Sequence, residues 1–104
     1  MAGSEGYDEQ SVVDDREHRR FVIADDAVDA ELVYRREGDR LILVHTGVPE
    51  ALSGRGIGGR LVRGAVEHAA RDGLTVVPRC QYARRWLEEH PDVARTVSVD
   101  WPPT

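Results

Sequence analysis

Between residues 54 and 59 the chain reads Gly-Arg-Gly-Ile-Gly-Gly, and the segments on either side of these four glycines narrow the possible folds. Upstream, residues 40–48 carry apolar side chains on both faces, the pattern of a strand central in a sheet. Downstream, apolar residues fall at Ile57, Leu61, Val62, Ala65, Val66 and Ala69, with Arg60, Arg63, Glu67 and Arg71 between them. That spacing predicts an amphipathic helix, closed at Asp72-Gly73 by a left-handed cap. The segment is therefore strand, glycine turn, helix. Glycines let a backbone take positive φ and approach a ligand closely, and a helix N-terminus offers unpaired N–H groups and the positive end of a dipole. Such a turn is either a phosphate cradle or a tight connection that carries no ligand.

The rest of the chain gives this unit its context. Residues 19–24 read as a short strand and Asp25-Asp26-Ala27 as a turn. Over 29–36, Ala30, Leu32 and Tyr34 alternate with Glu31, Val33 and Arg35, as in a half-buried strand, and Gly38-Asp39 is a hairpin turn. After the glycine helix come a strand at 75–79, a helix at 81–89 that Pro91 stops, and a last strand at 94–99. Tyr82 and Trp86, four apart on that second helix, are expected in the core. Hairpins followed by strand–helix–strand–helix define an α/β (α+β) fold, a mostly antiparallel sheet flanked by two or more helices.

Charge is unevenly spread. Residues 1–17 hold six acids and one arginine, which is the whole net charge of −5, and the other 87 residues balance. Residues 1–16 read as a disordered acidic tail and 17–104 as one domain. A balanced domain lacks the basic footprint of a nucleic-acid binder. No apolar run is long enough to span a membrane and no leader-like pattern opens the chain, so a cytoplasmic monomer is expected. A single cysteine, Cys80, excludes an intrachain disulfide, and the histidines lack metal-ligand spacing with it, so no metal site is proposed. All 14 basic residues are arginine.

Two phosphate-binding readings fail on context. Gly54, Gly56 and Gly59 match the dinucleotide fingerprint in spacing, but three strands precede them, and the next strand ends in Pro78, Arg79 and Cys80 where an acid is required. A P-loop needs a lysine, and the chain has none.

The stretch Val48-Pro49-Glu50-Ala51-Leu52-Ser53-Gly54-Arg55-Gly56-Ile57-Gly58 resembles the acetyl-CoA signature of the GNAT acetyltransferase superfamily. His45-Thr46-x-Val48-Pro49 upstream, Pro78-x-Cys80-x-Tyr82 downstream, Trp86 and His90-Pro91 are similar to the short stand-alone YjdJ-type members, the N-acetyltransferase domain-containing proteins. The resemblance covers residues 19–93 and departs at two positions. Ser53 stands where an Arg or Gln usually begins the signature, and Gly47 where the short members usually have a glutamate.

The resemblance implies a GNAT-like fold and acetyl-CoA as cofactor. Its pyrophosphate would lie against Gly54, Arg55, Gly56, Ile57, Gly58 and Gly59, and its pantetheine arm beside Thr46 and Val48. It also implies His45 and Cys80 as active-site residues. His45 at a strand end suits a general base, or is a hydrogen-bonded structural histidine. Cys80 before a helix suits a nucleophile that carries the acetyl group, or is a small buried thiol. Two functions follow: an acetyl-CoA-dependent N-acetyltransferase acting on an amine acceptor, small molecule or protein, or a CoA-binding module with little turnover, a sensor or partner-binding protein.

Overall fold

A computed structural model of the chain describes residues 12–25 and 28–103. Strands β1 (Val13–Asp15), β2 (Arg20–Asp25), β3 (Val28–Glu37) and β4 (Arg40–Gly47) come first. Helix α1 (Ile57–Asp72), strand β5 (Thr75–Pro78), helices α2 (Gln81–Glu89) and α3 (Pro91–Ala94) and strand β6 (Ser98–Val99) follow. The six strands form one sheet in chain order. β1 to β4 run antiparallel, and β5 and β6 add to β4 in parallel. This is the mixed, mostly antiparallel sheet with flanking helices that the residue pattern implies.

Alternation decides which face is covered. Phe21, Ile23, Ala30, Leu32, Tyr34, Leu41, Leu43 and Val76 point to one side and are buried with Ile57, Leu61, Val62, Ala65, Val66 and Ala69 of α1 and with Ala83 and Leu87 of α2. The predicted stripe on α1 is thus its buried face. Gly73, at φ 68°, closes this helix as a left-handed cap, the conformation its lack of a Cβ permits. On the opposite side of the sheet, Val22, Ile42 and Val77 are also buried, and Pro102 and Pro103 line a groove with Ile42, Val44 and Val77.

The structure corrects the sequence reading at three places. The acidic tail was expected to run to residue 16, yet Val13–Asp15 forms β1 against β2, in the register Val13↔Val22. The reason lies in partners far along the chain. Asp14 accepts a hydrogen bond from the Tyr34 hydroxyl, and Val12 packs against the core beneath Gly64. Residues 1–11 of that expected tail, and Asp26-Ala27 of the expected turn, lie outside the described residues. The helix at Gln81–Glu89 ends before Pro91, as the sequence predicts. His90 interrupts the backbone and Pro91 begins α3, the first-turn position where its missing N–H costs nothing. Tyr82 is not core but 44% exposed. The last strand shrinks to Ser98–Val99. No helix among the described residues is long and apolar enough to cross a membrane.

Candidate functional site

The glycine turn divides into two pairs with different physical demands. Gly54 and Gly56 hold φ of 82° and 73°, and a Cβ at either would meet nothing within 4 Å. These two are glycines because of backbone conformation, and the space beside them is open. Gly56 is the N-cap of α1, no side chain caps the helix, and the first bond of its ladder runs from Arg60 N–H to the Gly56 carbonyl. The N–H groups of residues 56–59 therefore have no partner within the helix. Gly58 and Gly59 have helical φ and are buried. A Cβ on Gly58 would lie 2.6 Å from the Tyr82 hydroxyl, and one on Gly59 would collide with the Trp86 indole. Their identity answers to packing of α2 across the first turn of α1. Trp86 is itself held by the stacked ring of His90, with centroids 3.8 Å apart, and by Arg63. Burial pushes the Tyr82 hydroxyl above the ordinary phenol range, with the Glu89 and Cys80 charges adding to it.

The strand leading into this turn parts from its neighbour. β4 and β5 pair from Arg40↔Thr75 to Leu43↔Pro78 and no further. Pro78, its φ fixed by the ring, sits in the middle of a tight turn in which the Arg79 N–H bonds to the Val77 carbonyl at 3.0 Å. That turn takes Arg79 out of the ladder, and the Cys80 N–H reaches the Leu43 carbonyl instead, at 2.9 Å. On the other edge of β4 the register slips, from Tyr34↔Leu43 to Val33↔His45, so Val44 is an extra, bulged residue. Beyond Leu43, β4 is paired with β3 alone among the described residues. Thr46 and the following Val48 lie on this freed edge, which ends at the glycine turn.

Two different groups occupy the two faces of this edge. Thr46 stands opposite Leu32 of the buried face, and its Oγ1 lies 3.2 Å from the Sγ of Cys80. Cys80 is the N-cap of α2, 9% exposed, and belongs to the core. His45 is opposite Val33 and points to the other face, where it is exposed. The structure therefore brings Cys80 together with Thr46, not with His45. What lies near His45 is Glu31. Glu31 is opposite Gly47, and a Cβ at Gly47 would be 3.4 Å from the His45 Nε2 and 3.8 Å from the Glu31 Oε2. Arg20 holds the other Glu31 oxygen at 3.0 Å. Arg20 also binds Asp15 at 3.2 Å, and its guanidinium keeps a raised affinity for its proton, mainly through the Glu31 hydrogen bond.

Sequence reasoning thus missed Glu31, the side-chain part of Thr46, and Tyr82 as a lid over Gly58. The strand register that places Glu31 beside Gly47 leaves no mark in either segment. The three-residue step from Pro78 to Gln81, a breaker followed by a helix start, was the available signal for the parting of β4 and β5.

The family model for GCN5-related N-acetyl-transferases matches residues 20–96, and the chain belongs to that family. Among curated proteins it resembles Protein NATD1 of Bos taurus, 33% identical over 97 residues that make up 86% of each chain. NATD1 of Homo sapiens is 32% identical over 80 residues, 74% of this chain and 71% of that one. Among solved structures, a GCN5-like protein of Staphylococcus aureus determined by NMR superposes with a TM-score of 0.69 at 28% identity, covering 91% of this chain and 92% of its own.

Proposed function

We propose that the protein is an N-acetyltransferase that moves an acetyl group from acetyl-CoA to an amine. The observation that carries this reading is the freed edge of β4, which leads from Leu43 past Thr46 and Val48 into the turn at Gly54–Gly59. One strand edge with no partner strand among the described residues and one helix N-terminus in series suit a ligand with an amide-bearing arm and a phosphate end. The open space beside Gly54 and Gly56 suits the pyrophosphate there, with Arg55 between them and Ile57 following. Gly58 and Gly59 contribute backbone N–H groups while their missing side chains admit Tyr82 and Trp86.

Bound there, acetyl-CoA would supply an electrophilic thioester carbonyl. His45, on the exposed face, is the base. It takes a proton from the acceptor nitrogen, which frees the lone pair that attacks the carbonyl carbon. The C–N bond forms, the C–S bond breaks, and the CoA sulfur leaves as thiolate and takes up a proton. A second route is favoured by the 3.2 Å contact between Cys80 and Thr46. In it Cys80 first takes the acetyl group as a thioester and releases CoA, and the amine then attacks that thioester. A single reduced thiol accords with a cytoplasmic setting, and the charge balance of residues 18–104 with a partner that is not nucleic acid.

Calorimetric titration with CoA and acetyl-CoA tests the reading. Binding is expected, and Gly56→Val should abolish it, because a β-branched residue cannot hold φ 73° and would fill the open side of the turn. Absence of binding by the unaltered chain at millimolar CoA overturns it.

A further inference from the structure

We infer that the acceptor is recognised as a protonated primary amine, held by Glu31 in the space that the missing Gly47 side chain leaves next to His45. The inference rests on the acetyl-transfer reading above and adds to it the acceptor subsite and the residue that defines it.

The geometry is a convergence on one point. The position where residue 47 would carry a Cβ lies 3.4 Å from the His45 Nε2 and 3.8 Å from the Glu31 Oε2. An ammonium nitrogen near that point is within a small shift of hydrogen-bond distance to both, one an imidazole nitrogen and the other a carboxylate oxygen. Backbone strain does not explain the glycine, since Gly47 is not among the glycines with positive φ. Nor would a methyl group clash there, as both neighbours stand at or beyond 3.4 Å. What the glycine leaves is room.

The electrostatics favour a cation. Arg20 is shared among Glu31 at 3.0 Å, Asp15 at 3.2 Å and Asp29 at 3.6 Å, three carboxylates around one guanidinium. All of these side chains share the face on which His45 lies. Arg20 fixes the Glu31 carboxylate in place without neutralising its surroundings. Glu31 is also only half-buried, so an incoming ammonium keeps access to it. The step is balanced. The bound ammonium gives one proton to His45, which returns it to solvent. The nitrogen loses its second proton as the amide forms, and that proton ends on the CoA sulfur.

The test uses the full chain saturated with CoA, with CoA affinity measured first by calorimetry. The probe is propylammonium, with propan-1-ol as the uncharged comparison, and the amide signals of Glu31 and Gly47 are followed by NMR. Saturable shifts are expected with propylammonium and not with propanol. Glu31→Gln should weaken propylammonium about tenfold, the loss of one hydrogen bond to a charged group. Gly47→Ala, which keeps the fold because nothing clashes, should weaken it as much by filling the space. CoA affinity should be unchanged in both variants. Wild-type affinity for propylammonium in either variant overturns the inference, as does equal response to propanol or no saturable response of the CoA-bound chain. Failure to bind CoA at all overturns the acetyl-transfer reading instead, so the two failures are separable.

Discussion

The hydroxyl of Tyr34 donates a hydrogen bond of 2.6 Å to Oδ1 of Asp14, and this bond ties the first strand to the third across the sheet. The Tyr34 ring is buried against Phe21, with centroids 4.8 Å apart. Burial, reinforced by the Asp14 hydrogen bond and charge, pushes the hydroxyl up to about 12. The sign follows. The folded state holds the phenol proton more tightly than the unfolded chain, so this contribution to stability is complete below about pH 10 and is lost as pH rises toward 12. In thermal melts from pH 8 to 12, the wild-type chain should lose stability more steeply than Tyr34→Phe over that upper interval. At the top of the range the variant should be the more stable of the two, because tyrosinate faces the Asp14 carboxylate. Parallel pH profiles would count against the assignment.

The same bond makes the N-terminal strand part of the fold. A chain that begins at Glu17 loses the Asp14 acceptor, β1 and the packing of Val12. A hydrogen bond to a charged acceptor is worth about 1.5–3 kcal/mol. At about 4–8 °C per kcal/mol for a domain of this size, the melting temperature should fall by roughly 10 °C or more. A chain that begins at Ser11 should melt with the full-length protein, since the residues removed are polar and acidic and offer little apolar surface. Equal melting of all three chains would show that β1 contributes nothing.

Gly59→Ala should be more damaging than Gly58→Ala, although both insert one methyl into the first turn of α1. The indole facing Gly59 is fixed between His90 and Arg63, whereas the Tyr82 ring over Gly58 is 44% exposed and can swing aside. Overpacking costs about 1–3 kcal/mol, and alanine returns at most about 1 kcal/mol of helix propensity. Gly59→Ala should therefore lower stability in urea titration by about 1–2 kcal/mol, and Gly58→Ala should be near neutral. The reverse order would mean that Trp86, not Tyr82, is the adaptable ring.

These contrasts show what could be read from residues alone. The apolar spacing of α1, its cap at Gly73 and the buried alternation of Ala30, Leu32 and Tyr34 are local patterns, and each is present in the structure. The glycine turn was legible as a turn, but the reasons for its glycines were not. Gly54 and Gly56 answer to φ, while Gly58 and Gly59 answer to two rings more than 20 residues away. Likewise His45 and Cys80 could each be singled out in the sequence, but not that they stand in different environments, Cys80 beside Thr46 and His45 on the opposite face. Thr46 turns toward Cys80 and the helices, and His45 toward the opposite face, because side chains alternate along β4. Glu31 and β1 were hidden for the same reason. Their roles are set by register and by partners distant in sequence.

The contact between Thr46 and Cys80 leads to the remaining prediction. Cys80 stands at the start of α2 on the freed side of β4, but it is only 9% exposed, so any acetyl donor must reach it along the strand edge. Exchange of one thioester for another is nearly isoenergetic, so the barrier is set by access and by the state of the thiol. Incubation with acetyl-CoA followed by intact mass spectrometry should show one added acetyl group on the wild-type chain. Hydroxylamine should remove it, and Cys80→Ala should lack it. With no lysine in the sequence, the N-terminal amine is the main competing site, and its amide survives hydroxylamine. Thr46→Val keeps the side-chain shape but removes the hydroxyl 3.2 Å from the sulfur, and should slow acetylation about tenfold, the worth of one hydrogen bond near a reacting group. If Cys80→Ala instead retains the full rate of transfer to an amine, the acetyl group never rests on the thiol, and direct attack assisted by His45 is the route.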